Sequence, residues 1–163
     1  MALQARFLPK NPAKYAGDVT KIFARSSWEL HVMKFLDSSA AVIKWGSEEL
    51  AIPYIKPTDG KVHKYYPDFV VIYRDANGGI RKEILEVKPL KESLAESAKS
   101  IHDKVALAIN IAKWKAAETF AAQNGMSFRV LTEKSLFLNK PKAPKKPKAH
   151  PGTRKPRSSG TKK

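Results

Sequence analysis

The sequence predicts an α/β protein in which a mixed β-sheet is flanked by helices. Strand patterns and helix patterns alternate along the chain, which is typical of this class. Two of the strand patterns are joined by a short Asn-Gly-Gly turn of the kind that connects antiparallel strands. The length of 163 residues suits one domain of ordinary size.

The chain begins with a polar segment, residues 1–20, which we interpret as an N-terminal arm. The first predicted helix follows this segment, beginning at Ser26 and ending near Asp37. A serine with a glutamate three residues later, here Glu29, is a helix-start pattern. The domain proper is therefore predicted over residues 21–139.

Strands are predicted in the middle of the chain. Short ones are expected over 42–45 and 50–55, and Pro53 limits the second to a sheet edge because proline cannot donate a ladder hydrogen bond. The segment 65–74 is rich in aromatic and β-branched residues and is predicted to form one strand. A glycine-rich turn then leads into a returning strand over 80–88, so the two should form a hairpin.

A long helical region is predicted over residues 91–123, with a break near Ser100. Its second half is apolar nearly all round, which predicts that this helix is buried. A strand over 127–131 and a short helix starting at Thr132 complete the domain.

Positive charge is concentrated at the C-terminal end. The chain holds 31 Lys and Arg against 15 Asp and Glu, a net charge of +16, and residues 140–163 hold ten basic groups, five prolines and no acid. With so little apolar surface, this tail is expected to be disordered. Such a tail binds nucleic acid through its phosphates, although a purely solvating tail is the alternative. The DNA-binding residues predicted there are Lys140, Lys142, Lys145, Lys146, Lys148, Arg154, Lys155 and Arg157.

Several classes of protein are excluded by composition. The chain has no cysteine, which excludes disulfides, thiolate metal sites and thiol catalysis. Its longest nearly apolar run, 105–112, is well short of the roughly 20 residues of a membrane span. The N-terminus has no apolar core of signal-peptide type. We therefore expect a soluble, intracellular protein with a polyanionic partner and no membrane association.

Glu29 is one of four charged residues at positions where a purely structural pattern predicts apolar ones. It falls inside the apolar arc that Trp28, Val32 and Leu36 define on the first helix. An unpaired carboxylate buried there is costly, so Glu29 either serves a site or caps its helix with Ser26. Both interpretations remain open at this point.

The other three are Asp68, Glu86 and Lys88. Glu86 and Lys88 share one strand face, because strand side chains alternate, and on their own they could be an ordinary exposed pair. Antiparallel pairing of the two strands, however, brings Asp68 close to Glu86. Two clustered carboxylates suit a hard cation such as Mg²⁺, and a nearby lysine can position water or stabilise charge on phosphoryl oxygens. The combination predicts a phosphodiester-cleaving site, with Glu29 as a further metal ligand, directly or through water.

Lys113 and Lys115 lie in the apolar part of the long helical region. They can reach DNA from there, and we include them among the predicted DNA-binding residues. The alternative is that both are solvated residues on either side of a buried Trp114.

The motif Pro67-Asp68 with Glu86-Val87-Lys88 resembles the PD-(D/E)-x-K signature of nucleases, with Glu29 as the upstream helical acid that many members carry. A longer pattern resembles the head-completion nucleases of T-even-type contractile-tailed phages, and its last part is also similar to TnsA-type transposition endonucleases. The resemblance covers about residues 9–137 and leaves the tail out. Its segments are Arg25-Ser-Ser-Trp-Glu29, Lys44-Trp-Gly-Ser-Glu-Glu49, Ile52-Pro-Tyr54, Pro57-Thr-Asp-Gly60, His63-Lys-Tyr-Tyr-Pro-Asp-Phe69, Glu86-Val-Lys88, Lys113-Trp114-Lys115 and Phe128-Arg-Val-Leu-Thr-Glu133.

The resemblance implies a restriction-endonuclease-like core and a Mg²⁺-dependent DNA endonuclease, with Mn²⁺ as a substitute ion. It implies catalytic roles for Glu29, Asp68, Glu86 and Lys88, and action on double-stranded DNA in head completion after packaging, where trimming a DNA end is a plausible use. Portal or head proteins are expected partners, in the virion or in the host cytoplasm during assembly. Two alternatives remain open: a nonenzymatic DNA-binding head or portal protein on a nuclease-like scaffold, and a TnsA-like transposition endonuclease. The intact set of four charged residues favours an enzyme.

Overall fold

The computed structural model describes residues 4–137, so the predicted tail over 140–163 lies outside the described residues. The described elements agree closely with the predicted order of helices and strands. The strands are β1 (Ala5–Arg6), β2 (Phe23–Ala24), β3 (Val42–Ser47), β4 (Ile52–Ile55), β5 (Val62–Tyr65), β6 (Phe69–Arg74), β7 (Ile80–Val87) and β8 (Ser127–Leu131). The helices are α1 (Ser27–Ser38), α2 (Leu90–Ser93), α3 (Ile101–Gln123) and α4 (Glu133–Phe137).

The centre of the molecule is a four-stranded sheet in the order β3-β6-β7-β8. Strand β6 pairs antiparallel with both β3 and β7, whereas β8 pairs parallel with β7. The parallel pair is joined by α3, because parallel strands need a long crossover connection. Helix α1 shares one apolar cluster with Leu85, and α3 shares a second cluster with Ile84. Consecutive strand residues point to opposite faces, so the two helices flank the sheet as the sequence predicts.

The predicted strand over 65–74 is in fact two strands. Strand β5 ends at Tyr65, β6 begins at Phe69, and the buried Pro67 lies between them. Proline lacks a backbone N–H and restricts the residue before it, so it interrupts the ladder here. Strand β5 pairs with β4 in a separate antiparallel hairpin, so β4 is not an edge of the central sheet.

The segment interpreted as an N-terminal arm contributes to the core. The rings of Phe7 and Tyr15 are buried and pack edge-on against Trp45, with centroid distances of 5.9 and 4.8 Å. The buried Asp37 carboxylate accepts hydrogen bonds from the backbone N–H groups of Lys10 and Asn11 at 2.8 and 3.0 Å. The composition of this segment is polar, but two large rings suffice to anchor it.

The predicted burial of α3 is wrong for much of its length. Ile101 is 82% exposed, Val105 and Ile111 are also exposed, and within the helix only Ala117 and Ala121 are buried. A helix of 23 residues is about 34 Å long, which exceeds the length of the strands it crosses. None of the helices in the described part of the chain is both long and apolar enough to span a membrane.

Candidate active site

Asp68 and Glu86 meet at one end of the central sheet, as the sequence predicts. The register pairs Phe69 with Leu85, which places the residue before β6 beside Glu86 on β7. Asp68 Oδ2 accepts a hydrogen bond from the Val87 N–H at 2.7 Å. Strand register therefore places the two carboxylates side by side, and a main-chain hydrogen bond fixes that of Asp68.

Both carboxylates are hard to ionise in this environment. Burial, followed by the charge of the neighbouring Glu86, raises the pKa of Asp68, and burial likewise raises the pKa of Glu86. A divalent cation beside them would offset both effects, because it stabilises the charged form of each group. The donor chemistry of the pair thus fits a hard cation that keeps part of its water shell.

The pair stands without a third ligand side chain. Among residues 4–137, no group of three or more His, Asp or Glu side chains is close enough to hold a metal ion. Water or a phosphate oxygen would have to fill the other positions, which is the usual pattern for Mg²⁺.

Lys88 lies at the same end of the sheet. Its Nζ atom is 3.9 Å from Glu86 Oε1, and the side chain is half-buried. Its backbone N–H donates to the Leu131 carbonyl at 2.9 Å, which ties the end of β7 to the end of β8. The structure therefore brings Asp68, Glu86 and Lys88 together as one cluster.

Glu29 caps its own helix. The Ser26 hydroxyl accepts from the Glu29 N–H at 3.0 Å, and the Glu29 carboxylate accepts from the Arg25 N–H at 2.9 Å and from the Ser26 hydroxyl at 3.3 Å. Ser26 thus caps the helix, whereas the Glu29 carboxylate bonds the N–H of Arg25 and not that of Ser26, so the reciprocal capping box considered from the sequence is only half formed. Glu29 is also near enough for its charge to contribute to the raised pKa of Asp68. It lies beside the cluster while both of its oxygens bond locally.

Tyr65 belongs to the cluster, and the sequence analysis missed it. Its ring is 4% exposed, and its hydroxyl donates to Glu86 Oε2 at 2.6 Å. This bond fixes the orientation of the carboxylate, while Oε1 is the oxygen nearer Lys88. The signals in the sequence were the position of Tyr65 two residues before Pro67 and the general need of a buried tyrosine hydroxyl for a partner.

The two predicted DNA-binding lysines of α3 have different surroundings. Lys113 Nζ lies 5.8 Å from the centroid of the Tyr54 ring and 5.6 Å from that of Tyr65, at cation–π distance. Burial lowers the pKa of Lys113, and its charge offsets a small part of the burial effect that raises the pKa of Glu86. Lys115 is exposed and, two residues further along the helix, lies on the opposite side. The remaining predicted DNA-binding residues, in the tail, lie outside the described residues.

Comparison with known proteins gives two findings. Residues 39–133 match the family described as "TnsA-like endonuclease N terminal". The chain is also 36% identical over 146 residues to the "Head completion nuclease" of Enterobacteria phage T4, covering 83% of this chain and 95% of that protein. Asp68, Glu86 and Lys88 lie inside the family match, and Glu29 precedes it.

Proposed function

This chain belongs to the TnsA-like endonucleases, and from that membership we propose that it is a phage nuclease of head completion that hydrolyses DNA. The observation that carries the proposal is the cluster of Asp68, Glu86 and Lys88 at the end of β7. A protein that only held DNA would gain nothing from a half-buried and a buried carboxylate side by side, because both repel phosphate. The enzymatic interpretation is therefore preferred to a structural head or portal protein.

Asp68 and Glu86 are the proposed ligands of Mg²⁺, with Mn²⁺ as a substitute. When bound, such an ion polarises the phosphate and lowers the pKa of a coordinated water. Glu29 remains a proposed outer contributor to this site, through its charge or through water.

The residues of the chain hold and orient the reacting groups. Tyr65 fixes the Glu86 carboxylate, and the Val87 N–H fixes that of Asp68. Lys88 is placed to hold the attacking water or to stabilise the negative charge that develops on the phosphoryl oxygens. In the hydrolysis a water oxygen bonds to phosphorus, the ester P–O bond breaks, and a proton is transferred to the departing oxygen.

We further propose double-stranded DNA as the substrate and Lys113, Lys115 and the C-terminal tail as sequence-independent contacts to it. The name of the T4 relative supports a role in head completion, with portal or head proteins as partners and trimming of a packaged DNA end as the reaction. The TnsA-like family match supports a second candidate, an endonuclease of transposition. Cutting at transposon ends, rather than trimming of DNA in filled heads, would favour the second candidate.

The test is cleavage of linear and circular duplex DNA by the full-length chain with Mg²⁺, Mn²⁺ or EDTA. Asp68→Ala is compared with Glu118→Ala, which removes an exposed acid from α3. Wild type and the Glu118 variant should cut with either metal, whereas EDTA or Asp68→Ala should abolish cutting. Cleavage at the wild-type rate by Asp68→Ala would exclude this site. Anomalous density from Mn²⁺-soaked crystals should lie between Asp68 and Glu86.

A further inference from the structure

The hairpin β4–β5 has one buried face and one exposed face. Ile52, Tyr54 and Tyr65 point inward and belong to the apolar cluster under α3. On the outer face Ile55 and Val62 are cross-strand partners, and they are 65% and 70% exposed. The outer face therefore carries an adjacent pair of exposed apolar side chains at the end of the ribbon.

The same ribbon carries positive charge that the rest of the described chain does not neutralise. Lys61 and Lys64 are exposed, Lys56 is half-buried, and within residues 4–137 none of the three forms an ion pair. The only acid of the hairpin, Asp59, accepts hydrogen bonds from the His63 ring at 2.8 Å and the Lys61 N–H at 2.9 Å. Its hydrogen bonds are thus made within the turn, and although its charge is felt by Lys56, none of the three lysines forms an ion pair with it.

The ribbon is continuous with the candidate active site. Tyr65, the last residue of β5, bonds directly to Glu86. Lys113 lies over the rings of Tyr54 and Tyr65, and the charge of Lys56 contributes to the lowered pKa of Lys113. A row of amines therefore leads from the hairpin toward the paired carboxylates. A polyanion bound at the carboxylates would reach this row.

We propose that the hairpin β4–β5 is a DNA-contacting ribbon that binds the duplex beside the cleavage site. This inference rests on the proposed function, which supplies duplex DNA as the partner. The major groove is about 12 Å wide and admits a two-stranded ribbon. Each strand has four residues, or about 14 Å, and the turn carries Lys56 and Lys61 beyond them. The lysines contact phosphates, and Ile55 with Val62 contacts sugars and base edges.

The decisive measurement is the salt dependence of duplex binding by the full-length protein in EDTA, followed by fluorescence anisotropy. The test variant is Lys56→Gln/Lys61→Gln/Lys64→Gln, and its matched control is Lys34→Gln/Lys44→Gln/Lys82→Gln. Lys44 and Lys82 both pair with Ile72, about 13 Å along the sheet from Asp68, and all three control lysines are exposed. Circular dichroism confirms that both variants fold.

Each phosphate contact contributes about 0.9 to the slope of log affinity against log salt. The hairpin variant should lower that slope by about two to three, and lower affinity at least tenfold, while the control changes it by less than one. An unchanged slope, or an equal change in the control, would overturn the inference. The inference would also be overturned if wild type were a dimer and Ile55→Ser/Val62→Ser made it monomeric without loss of DNA affinity. The outer face would then bind a second copy of the chain. If wild type cuts DNA and the slope is unchanged, only this inference fails. If wild type never cuts, the proposed function fails.

Discussion

The two hairpins of the molecule reach one site in different ways. In β6–β7, strand pairing places Asp68 beside Glu86, and a main-chain hydrogen bond from the Val87 N–H holds the Asp68 carboxylate. In β4–β5, the link to the site is a side chain, the Tyr65 hydroxyl, and the outward residues are exposed and cationic. The carboxylates are thus positioned by strand register, whereas the cationic groups proposed to contact DNA lie on an exposed ribbon.

The largest effect should come from the carboxylates of the central hairpin. Asp68→Asn and Glu86→Gln keep size and shape but remove charge, so each should lower the rate of DNA cleavage at least about 10³-fold. Lys88→Gln is expected to lower the rate of DNA cleavage by a similar factor. The matched control is Glu83→Gln on the same strand, whose carboxylate pairs with Arg129 instead. Substantial residual cleavage by the Asp68 variant would show that the catalytic centre does not lie on β6–β7.

Tyr65→Phe tests whether the outer hairpin serves the carboxylates as well as DNA. Loss of the 2.6 Å hydrogen bond frees Glu86 to rotate, so cleavage and Mn²⁺ affinity should each fall about 10- to 100-fold. DNA affinity in EDTA should not change. Mn²⁺ binding is measured by electron paramagnetic resonance, with Tyr54→Phe as the control because its ring also contacts Lys113. Unaltered Mn²⁺ affinity would show that Tyr65 is only a packing residue.

The same contrast explains what the sequence could predict. The hairpin β6–β7 was predictable because its turn and its β-branched strands are local signals, and the meeting of Asp68 with Glu86 follows from pairing alone. The contact of Tyr65 with Glu86 depends on the break at Pro67 and on packing under α3, which are long-range effects. The exposure of Val105 and Ile111 was predicted wrongly for a similar reason, since an apolar pattern does not indicate where the neighbouring elements end.

The role of Glu29 could be predicted only in part from the sequence. A pattern of Ser26 with Glu29 fits a cap and a site equally well, and the structure shows the cap. The role of Glu29 in catalysis and the functions assigned to the tail remain predictions, as does the identity of the metal.

Glu29→Gln should therefore have a moderate effect, lowering cleavage less than tenfold. Both carboxylate oxygens already bond at the helix start, and glutamine keeps an acceptor oxygen there, so the cost in stability should stay below the roughly 0.5–2 kcal/mol of removing the Ser26 cap. Thermal unfolding should therefore show a smaller loss for Glu29→Gln than for Ser26→Ala. A rate loss as large as that of Asp68→Asn would instead make Glu29 a metal ligand.

The smallest effect concerns stability and pH. The pKa of Asp68 is raised by folding, so the unfolded chain loses this proton first, and the free energy of unfolding falls as pH rises from about 4 toward the folded pKa. Asp68→Asn removes that penalty and should stabilise the metal-free protein at neutral pH by about 1 kcal/mol or more. The gain should vanish below about pH 4. Thermal unfolding of wild type and Asp68→Asn in EDTA across pH 4–8 measures this difference in stability. Equal stability of the two proteins at pH 8 would contradict the raised pKa of Asp68.

Because β7 pairs in parallel with β8, which comes late in the sequence, the candidate site is completed late in the synthesis of the chain. Lys88 is tied to Leu131, and 43 residues separate them in the sequence, so β7 can gain this neighbour only after α3 has emerged from the ribosome. Until then the strand that carries Glu86 has a partner on one side only. The ribosome therefore synthesises the four residues of the site, Tyr65, Asp68, Glu86 and Lys88, before β8 is available to pair with β7. The four-stranded sheet that carries the candidate site is therefore completed only when its last strand, β8, has been synthesised.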